Sequence, residues 1–128
     1  MGLVKPAYLK LLESGELERR ASAAWRRMED CDLCARYCHV NRLETIRGAV
    51  CRTGERAVIH SYGPHHGEEE CLTGWNGSGT IFFSHCNLRC VFCQNYDISQ
   101  AIKPGRAPSG STPQEIASMM LSLQSQGC

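Results

Sequence analysis

Three cysteines in the middle of the chain have the spacing of ligands for an iron cluster. Cys86, Cys90 and Cys93 form a C-x3-C-x2-C pattern on one short stretch, so a single loop can turn all three sulfurs toward one centre. A structural zinc site closes with four protein ligands, whereas a four-iron cluster held by three leaves one iron free for a small molecule. The pattern favours an open cluster that does chemistry, with a structural metal knot as the alternative.

A second cysteine group precedes the first. Cys31, Cys34, Cys38 and Cys51 are spaced C-x2-C-x3-C-x12-C, with His39 beside the third cysteine. Four thiolates satisfy the coordination of either zinc or a second iron–sulfur cluster. Metal binding would order a segment that is otherwise irregular. The sequence leaves the metal open, and ordinary buried or free cysteines are the alternative. Either way this module is expected to be structural, not catalytic.

The residues around the central cysteines resemble the radical S-adenosylmethionine (SAM) superfamily. Phe92, an aromatic residue, stands just before the last cysteine of the pattern. Residues 77–80, Gly-Ser-Gly-Thr, and the pair Gln94 and Asn95 resemble proteins related to pyruvate formate-lyase-activating enzyme. His-Gly-Glu-Glu at residues 66–69 and the upstream cysteines resemble an uncharacterised branch of that group. The resemblance covers roughly residues 30 to 128.

This resemblance implies a specific chemistry. Cys86, Cys90 and Cys93 would each ligate one iron of a [4Fe-4S] cluster, whose fourth iron chelates the amino and carboxylate groups of SAM. A reduced flavodoxin or ferredoxin-type donor would supply one electron that cleaves the SAM sulfonium. The resulting 5'-deoxyadenosyl radical would abstract hydrogen from a substrate. In the activating enzymes that substrate is a partner protein. The resemblance assigns Phe92 and Asn95 to cofactor binding, with Phe92 near the adenine, and no side chain is assigned as catalytic.

The composition narrows the class of protein. The chain has 128 residues, 42% of them hydrophobic, a net charge of +1 and nine cysteines. Without a basic excess nucleic acid is not indicated, and no apolar run approaches membrane-spanning length. Residues 1–6 lack the apolar core of a secretory signal. Reduced thiols in the cytoplasm are therefore expected, and no membrane partner.

Local patterns predict the elements that position these residues. The apolar run Ile81-Phe82-Phe83 predicts a buried strand of a parallel sheet, and residues 57–62 predict a strand beside it. Helices are predicted at residues 5–12 and at residues 14–29, the latter with Ser14 as N-cap. His66, Glu68 and Glu69 are candidate hydrogen-bonding residues of a loop near the cofactor pocket, or part of an acidic solvated loop.

The end of the chain carries the strongest helix signal. Thr112, Pro113 and Glu115 predict a capping box after a linker at residues 103–111. The apolar face of this helix is Ile116, Met119, Met120 and Leu123.

The fold class that follows is α/β, in two segments. Residues 1–72 form a helical, cysteine-rich, metal-binding segment, and residues 73–128 form the first βα unit of a partial parallel (β/α) barrel. A complete partial barrel needs more units, so the chain is expected to be an N-terminal piece of a larger enzyme, inactive alone. The alternatives are a non-catalytic iron–sulfur or zinc module and an inactive truncated fragment.

Overall fold

A computed structural model describes residues 5–102 and 109–128. Within these residues the fold mixes five helices with a two-stranded antiparallel sheet. Contacts divide the chain into two compact units, Met1–Ala49 and Val50–Cys128. None of the helices in the described ranges is long and apolar enough to cross a membrane. The presence of both helices and strands agrees with the predicted α/β class. The predicted division into residues 1–72 and residues 73–128 stays a prediction.

The first unit begins with two helices in contact, α1 (Tyr8–Glu13) and α2 (Glu16–Arg26). The predicted N-cap of the second helix is wrong. Gly15 occupies that position with φ 72°, and the Ser14 hydroxyl instead donates to the Leu11 carbonyl at 3.1 Å. The tight connection needs a residue in the left-handed region, which glycine adopts without a steric penalty.

The surface of α2 is charged and largely open. Glu16 accepts hydrogen bonds from Arg19 at 2.6 Å and from Arg20 at 2.7 Å. These bonds, that of Arg19 first, lower the pKa of Glu16 from 4.5 to about 2. Trp25, on the apolar side of the helix, is also exposed. Among the described residues of this unit, the buried ones are Met28, Cys31 and Ala49, so its core is very small.

The second unit is built on the strands β1 (Ile59–His65) and β2 (Ser78–Phe83), which pair antiparallel with a register shift near Ile59. The segment between them contains α3 (Glu70–Thr73). The predicted pairing of these two strands is confirmed. The expected burial of Ile81-Phe82-Phe83 is wrong: Ile81 and Phe82 are half-buried and Phe83 is exposed, because a two-stranded hairpin covers less of a strand than a parallel sheet does.

Two more helices complete this unit, α4 (Tyr96–Ser99) and α5 (Pro113–Ser125). The predicted start of α5 is confirmed: Thr112 and Glu115 form a capping box, and Pro113 opens the helix. Of the predicted apolar face, Leu123 is buried and Met120 is exposed. In the predicted linker, residues 103–108 lie outside the described residues.

The helix α5 packs closely on β2 at a glycine. A Cβ at Gly79 would lie 3.3 Å from Leu123 Cβ and 3.2 Å from Cys128 Cβ. That separation is tighter than ordinary van der Waals contact, so a side chain here would push the helix away. The absence of a side chain at position 79 lets α5 cover the start of the strand that leads into the cysteine loop.

Candidate metal centre

The central cysteines begin three residues after β2 ends, as the sequence predicts. Ser84 is buried, and its N–H donates to the Val58 carbonyl at 2.7 Å, which continues the strand pairing by one bond. His85 then adopts φ 68° and its N–H donates to the Ile98 carbonyl at 2.8 Å. The left-handed turn at His85 takes the chain out of the sheet, so Cys86 starts a loop at the strand's end.

Two of the three sulfurs lie beside hydrogen-bond donors. The Leu88 N–H donates to Cys86 Sγ at 3.3 Å. The Ser99 hydroxyl lies 3.3 Å from Cys93 Sγ, and it can donate to that sulfur when the thiol is ionised. All three cysteines are free thiols. Cys86 and Cys93 are half-buried, and Cys90 is exposed.

Residues 98–100 brace the cysteine loop at three separate points. Besides the bond from His85 to residue 98 and the hydroxyl of residue 99 beside Cys93, the side-chain amide of residue 100 donates to the Cys90 carbonyl at 2.9 Å. The short helix α4 returns the chain to the loop and makes these contacts possible. The sequence did not predict this brace, because Ile-Ser-Gln at residues 98–100 matches no motif.

The loop presents its apolar side chains outward. Val91 is 96% exposed and Phe92 is 92% exposed, between the second and third cysteines. Phe92, predicted to bind the cofactor, therefore has its ring free to receive a ligand. Asn95, the other predicted cofactor residue, is exposed at the N-cap of α4 and makes no capping bond with its side chain.

His85, at the base of the loop, is partly buried and has an altered pKa. Burial lowers the pKa of His85, and the charge of Arg52 lowers it further. Arg89 lies within the loop itself and adopts φ 57°.

The N-terminal cysteine group lies in a compact hairpin-like turn. The Cys31 N–H donates to the Val40 carbonyl at 3.2 Å, and the His39 N–H donates to the Cys31 carbonyl at 3.1 Å. The Arg42 guanidinium donates to Cys31 Sγ at 3.5 Å. Cys31 is 6% exposed, and Cys34 and Cys38 are half-buried. The backbone of this segment is thus fixed by its own hydrogen bonds.

His39, beside the group, and Cys51, the fourth predicted ligand, have different partners. The imidazole of His39 lies 2.9 Å from an Asp30 carboxylate oxygen. Cys51 belongs to the second compact unit, where its Sγ lies 3.9 Å from the Thr53 carbonyl. The proposal of one metal site shared by Cys31, Cys34, Cys38 and Cys51 stays a prediction.

The three thiols of the cysteine loop are chemically suited to bind a metal as thiolates. Across residues 5–102 and 109–128, no three His, Cys, Asp or Glu side chains are gathered into a group that could hold a metal ion. Cys86, Cys90 and Cys93 are nevertheless free, are carried by one loop, and have an N–H and an O–H beside two of their sulfurs. Thiolates with such donors are the usual ligands of iron–sulfur clusters.

The predicted polar loop lies between β1 and α3. Glu68 approaches the imidazole of His65 at 3.5 Å, and that ring meets Phe82 edge-on at 6.2 Å between centroids. The ring of His66 instead lies against Gly77, where an added Cβ would be 3.0 Å from it. Glu69 is the N-cap of α3. The placement of His66, Glu68 and Glu69 near a cofactor pocket stays a prediction.

Comparison with known proteins gives one informative similarity. The chain is 38% identical over 105 residues to an uncharacterized protein of Methanocaldococcus jannaschii, and the match covers 82% of the chain. It spans 29% of that relative's length. No family model matches the chain, and no solved structure matches it.

Proposed function

We propose that the chain is the cluster-binding region of a radical SAM enzyme, a homologue of the glycyl-radical-activating enzymes. The observation that carries the proposal is the braced loop after β2, on which Cys86, Cys90 and Cys93 are free thiols. Three thiolates from one loop leave a fourth iron without a protein ligand, which is the position that SAM requires. A closed four-thiolate site would offer no such position.

Each side chain of the loop has a separate task. Cys86, Cys90 and Cys93 bind the cluster as thiolates, and the contacts of residues 98–100 hold the loop in place. The exposed ring of Phe92 covers the adenine and excludes water from it, and Asn95 hydrogen-bonds to polar groups of the cofactor. A bound cluster would supply the one electron needed to cleave the SAM sulfonium into methionine and a 5'-deoxyadenosyl radical.

The surrounding architecture is proposed to be the first unit of a partial parallel (β/α) barrel. The strand β2, the cysteine loop and α5 follow one another in the order of a βα unit, and α5 packs on β2. Here β1 would be an antiparallel addition at the edge of the barrel. Metal-binding thiols and a cluster are best kept in the reducing cytoplasm, which is the proposed location.

Partners and the second metal belong to the same proposal. A reduced flavodoxin or ferredoxin-type protein would donate the electron, and a protein would be the substrate. Cys31, Cys34, Cys38 and Cys51 would hold zinc or a second iron–sulfur cluster with a structural role. The proposed partners are those of the whole enzyme and not of this chain alone, because the chain spans 29% of the length of its relative.

The test is reductive cleavage of SAM by the complete enzyme that contains this chain, after anaerobic reconstitution with iron and sulfide. Formation of 5'-deoxyadenosine, followed by chromatography, should be lost in Cys90→Ala. It should persist in Cys71→Ala, which removes an exposed thiol outside both groups. Unchanged cleavage in Cys90→Ala would refute the radical mechanism. Iron binding without any cleavage by the wild type would favour a non-catalytic iron–sulfur module.

A further inference from the structure

The sulfur of Cys93 differs from the other two thiols in having a side-chain hydroxyl beside it. The Ser99 oxygen lies 3.3 Å from Cys93 Sγ, and both residues are half-buried. Cys86 Sγ accepts a hydrogen bond from a backbone N–H, and at Cys90 the hydrogen bond from Gln100 goes to the carbonyl. A backbone donor is present whatever the side chain, whereas the hydroxyl depends on the residue at position 99.

Hydrogen bonds to ligating sulfurs change the redox behaviour of iron–sulfur clusters. A donor withdraws electron density from a thiolate and stabilises the reduced cluster, which carries one more negative charge. Removal of the donor lowers the reduction potential. The effect differs from that of loosening the loop, which would change cluster retention and not the relative stability of the two redox states.

We propose that Ser99 is a positioning residue that tunes the cluster, through a hydrogen bond from its hydroxyl to Cys93 Sγ that raises the reduction potential. The inference rests on the proposed function and goes beyond it, since it concerns a residue outside the cysteine pattern. Its functional consequence is on the electron-transfer step: a higher potential makes reduction by the donor protein easier and lowers the driving force for electron transfer to SAM.

The experiment is a potentiometric titration of the reconstituted full chain, read by the electron paramagnetic resonance of the reduced cluster. Titanium(III) citrate supplies one electron per cluster and is oxidised to titanium(IV), with no proton transferred. Ser99→Val and Ser99→Thr form the critical pair, because the two side chains have nearly the same shape and only threonine keeps the hydroxyl. Ser118→Ala removes an exposed hydroxyl in α5 as a matched control.

The expected result is a lower potential in Ser99→Val and Ser99→Ala. At a fixed potential the ratio of reduced to oxidised cluster should fall about tenfold, equivalent to ~59 mV for a one-electron couple. Ser99→Thr and Ser118→Ala should titrate like the wild type. Gln100→Ala, which removes a brace that ends on a carbonyl, should also keep the wild-type potential.

Several outcomes would overturn the inference. Equal potentials in Ser99→Val and Ser99→Thr would exclude a role for the hydroxyl, and an equal shift in Gln100→Ala would assign the effect to loop loosening. Loss of iron from Ser99→Val alone would make the hydroxyl a tether and not a tuning group. A wild-type chain that takes up no iron would refute the proposed function itself, and a wild-type cluster with unaltered variants would refute only the inference.

Discussion

The two cysteine groups differ in how the protein holds their sulfurs. Cys31 is part of the small buried set of the first unit and has a guanidinium at 3.5 Å from its sulfur. Cys90 is exposed, and its neighbour Val91 is almost completely open to solvent. Cys31 is enclosed by its own turn, whereas Cys90 is carried on a loop that is braced by residues 98–100.

Under the proposed function, we expect this difference to separate a structural task from a chemical one. A sulfur that contributes to a small core stabilises the fold, and its removal leaves a gap that little else can fill. An exposed sulfur such as that of Cys90 contributes little to packing and remains accessible to solvent. The contrast predicts that changes in the first group act mainly on stability and changes in the second mainly on cofactor chemistry.

The largest expected effect is on the N-terminal group. Replacement of Cys31, Cys34 and Cys38 together by alanine should remove a metal and unfold the first unit, since metal binding contributes about 10 kcal/mol in small thiolate sites. Metal analysis and amide hydrogen exchange of residues 5–49 measure the two effects. Cys128→Ala, outside both groups, is the control. Unaltered metal content and exchange in the triple variant would remove the basis for the contrast.

A smaller effect is expected where α5 packs on β2. Leu123 is buried against β2, so Leu123→Ala should lower the free energy of unfolding by about 2–5 kcal/mol. Leu121→Ala, at a position that is 65% exposed on the same helix, should change it by less than about 0.5 kcal/mol. Urea denaturation distinguishes them. Similar losses in both variants would show that Leu123 contributes no more to the packing of α5 on β2 than an exposed residue does.

The brace itself should have a local effect. Gln100→Ala removes the bond to the Cys90 carbonyl, which contributes about 1 kcal/mol. Faster hydrogen exchange is expected at residues 86–93, with little change in the strands. Gln124→Ala on exposed α5 is the matched control. Exchange in the loop at the wild-type rate would show that the loop is rigid without the brace. The loop would then not differ from the turn around Cys31 in needing contacts from other residues.

The smallest effect is electrostatic and lies in the first unit. The bonds from Arg19 and Arg20 lower the pKa of Glu16 to about 2, so their contribution is fully present above pH 4.5 and is lost as the pH falls through about 2. A carboxyl-carbon NMR titration should give a midpoint near 2. The double variant Arg19→Ala, Arg20→Ala should return the midpoint toward 4.5, and a wild-type midpoint already near 4.5 would contradict the bonded geometry.

Sequence reasoning was most accurate where the decisive contacts are local. The capping box of α5 involves Thr112 and Glu115, three residues apart, and the pattern alone identified it. It was wrong at the start of α2, because Ser14 and Gly15 are both acceptable N-caps and the path of α1 decides between them. It also overestimated the burial of Phe83, since the number of strands that cover a strand is not a local property.

The sequence by itself determined which side chains could bind a metal, since thiol chemistry and the C-x3-C-x2-C spacing are properties of the chain. It also determined that a loop follows an apolar strand at Cys86. Only the tertiary structure decided which residues support that loop. The contacts of residues 98–100 with His85, Cys90 and Cys93 depend on the path of the chain through α4. These hydrogen bonds form only where α4 brings the backbone back to the loop, and the spacing of residues in the sequence does not predict that position.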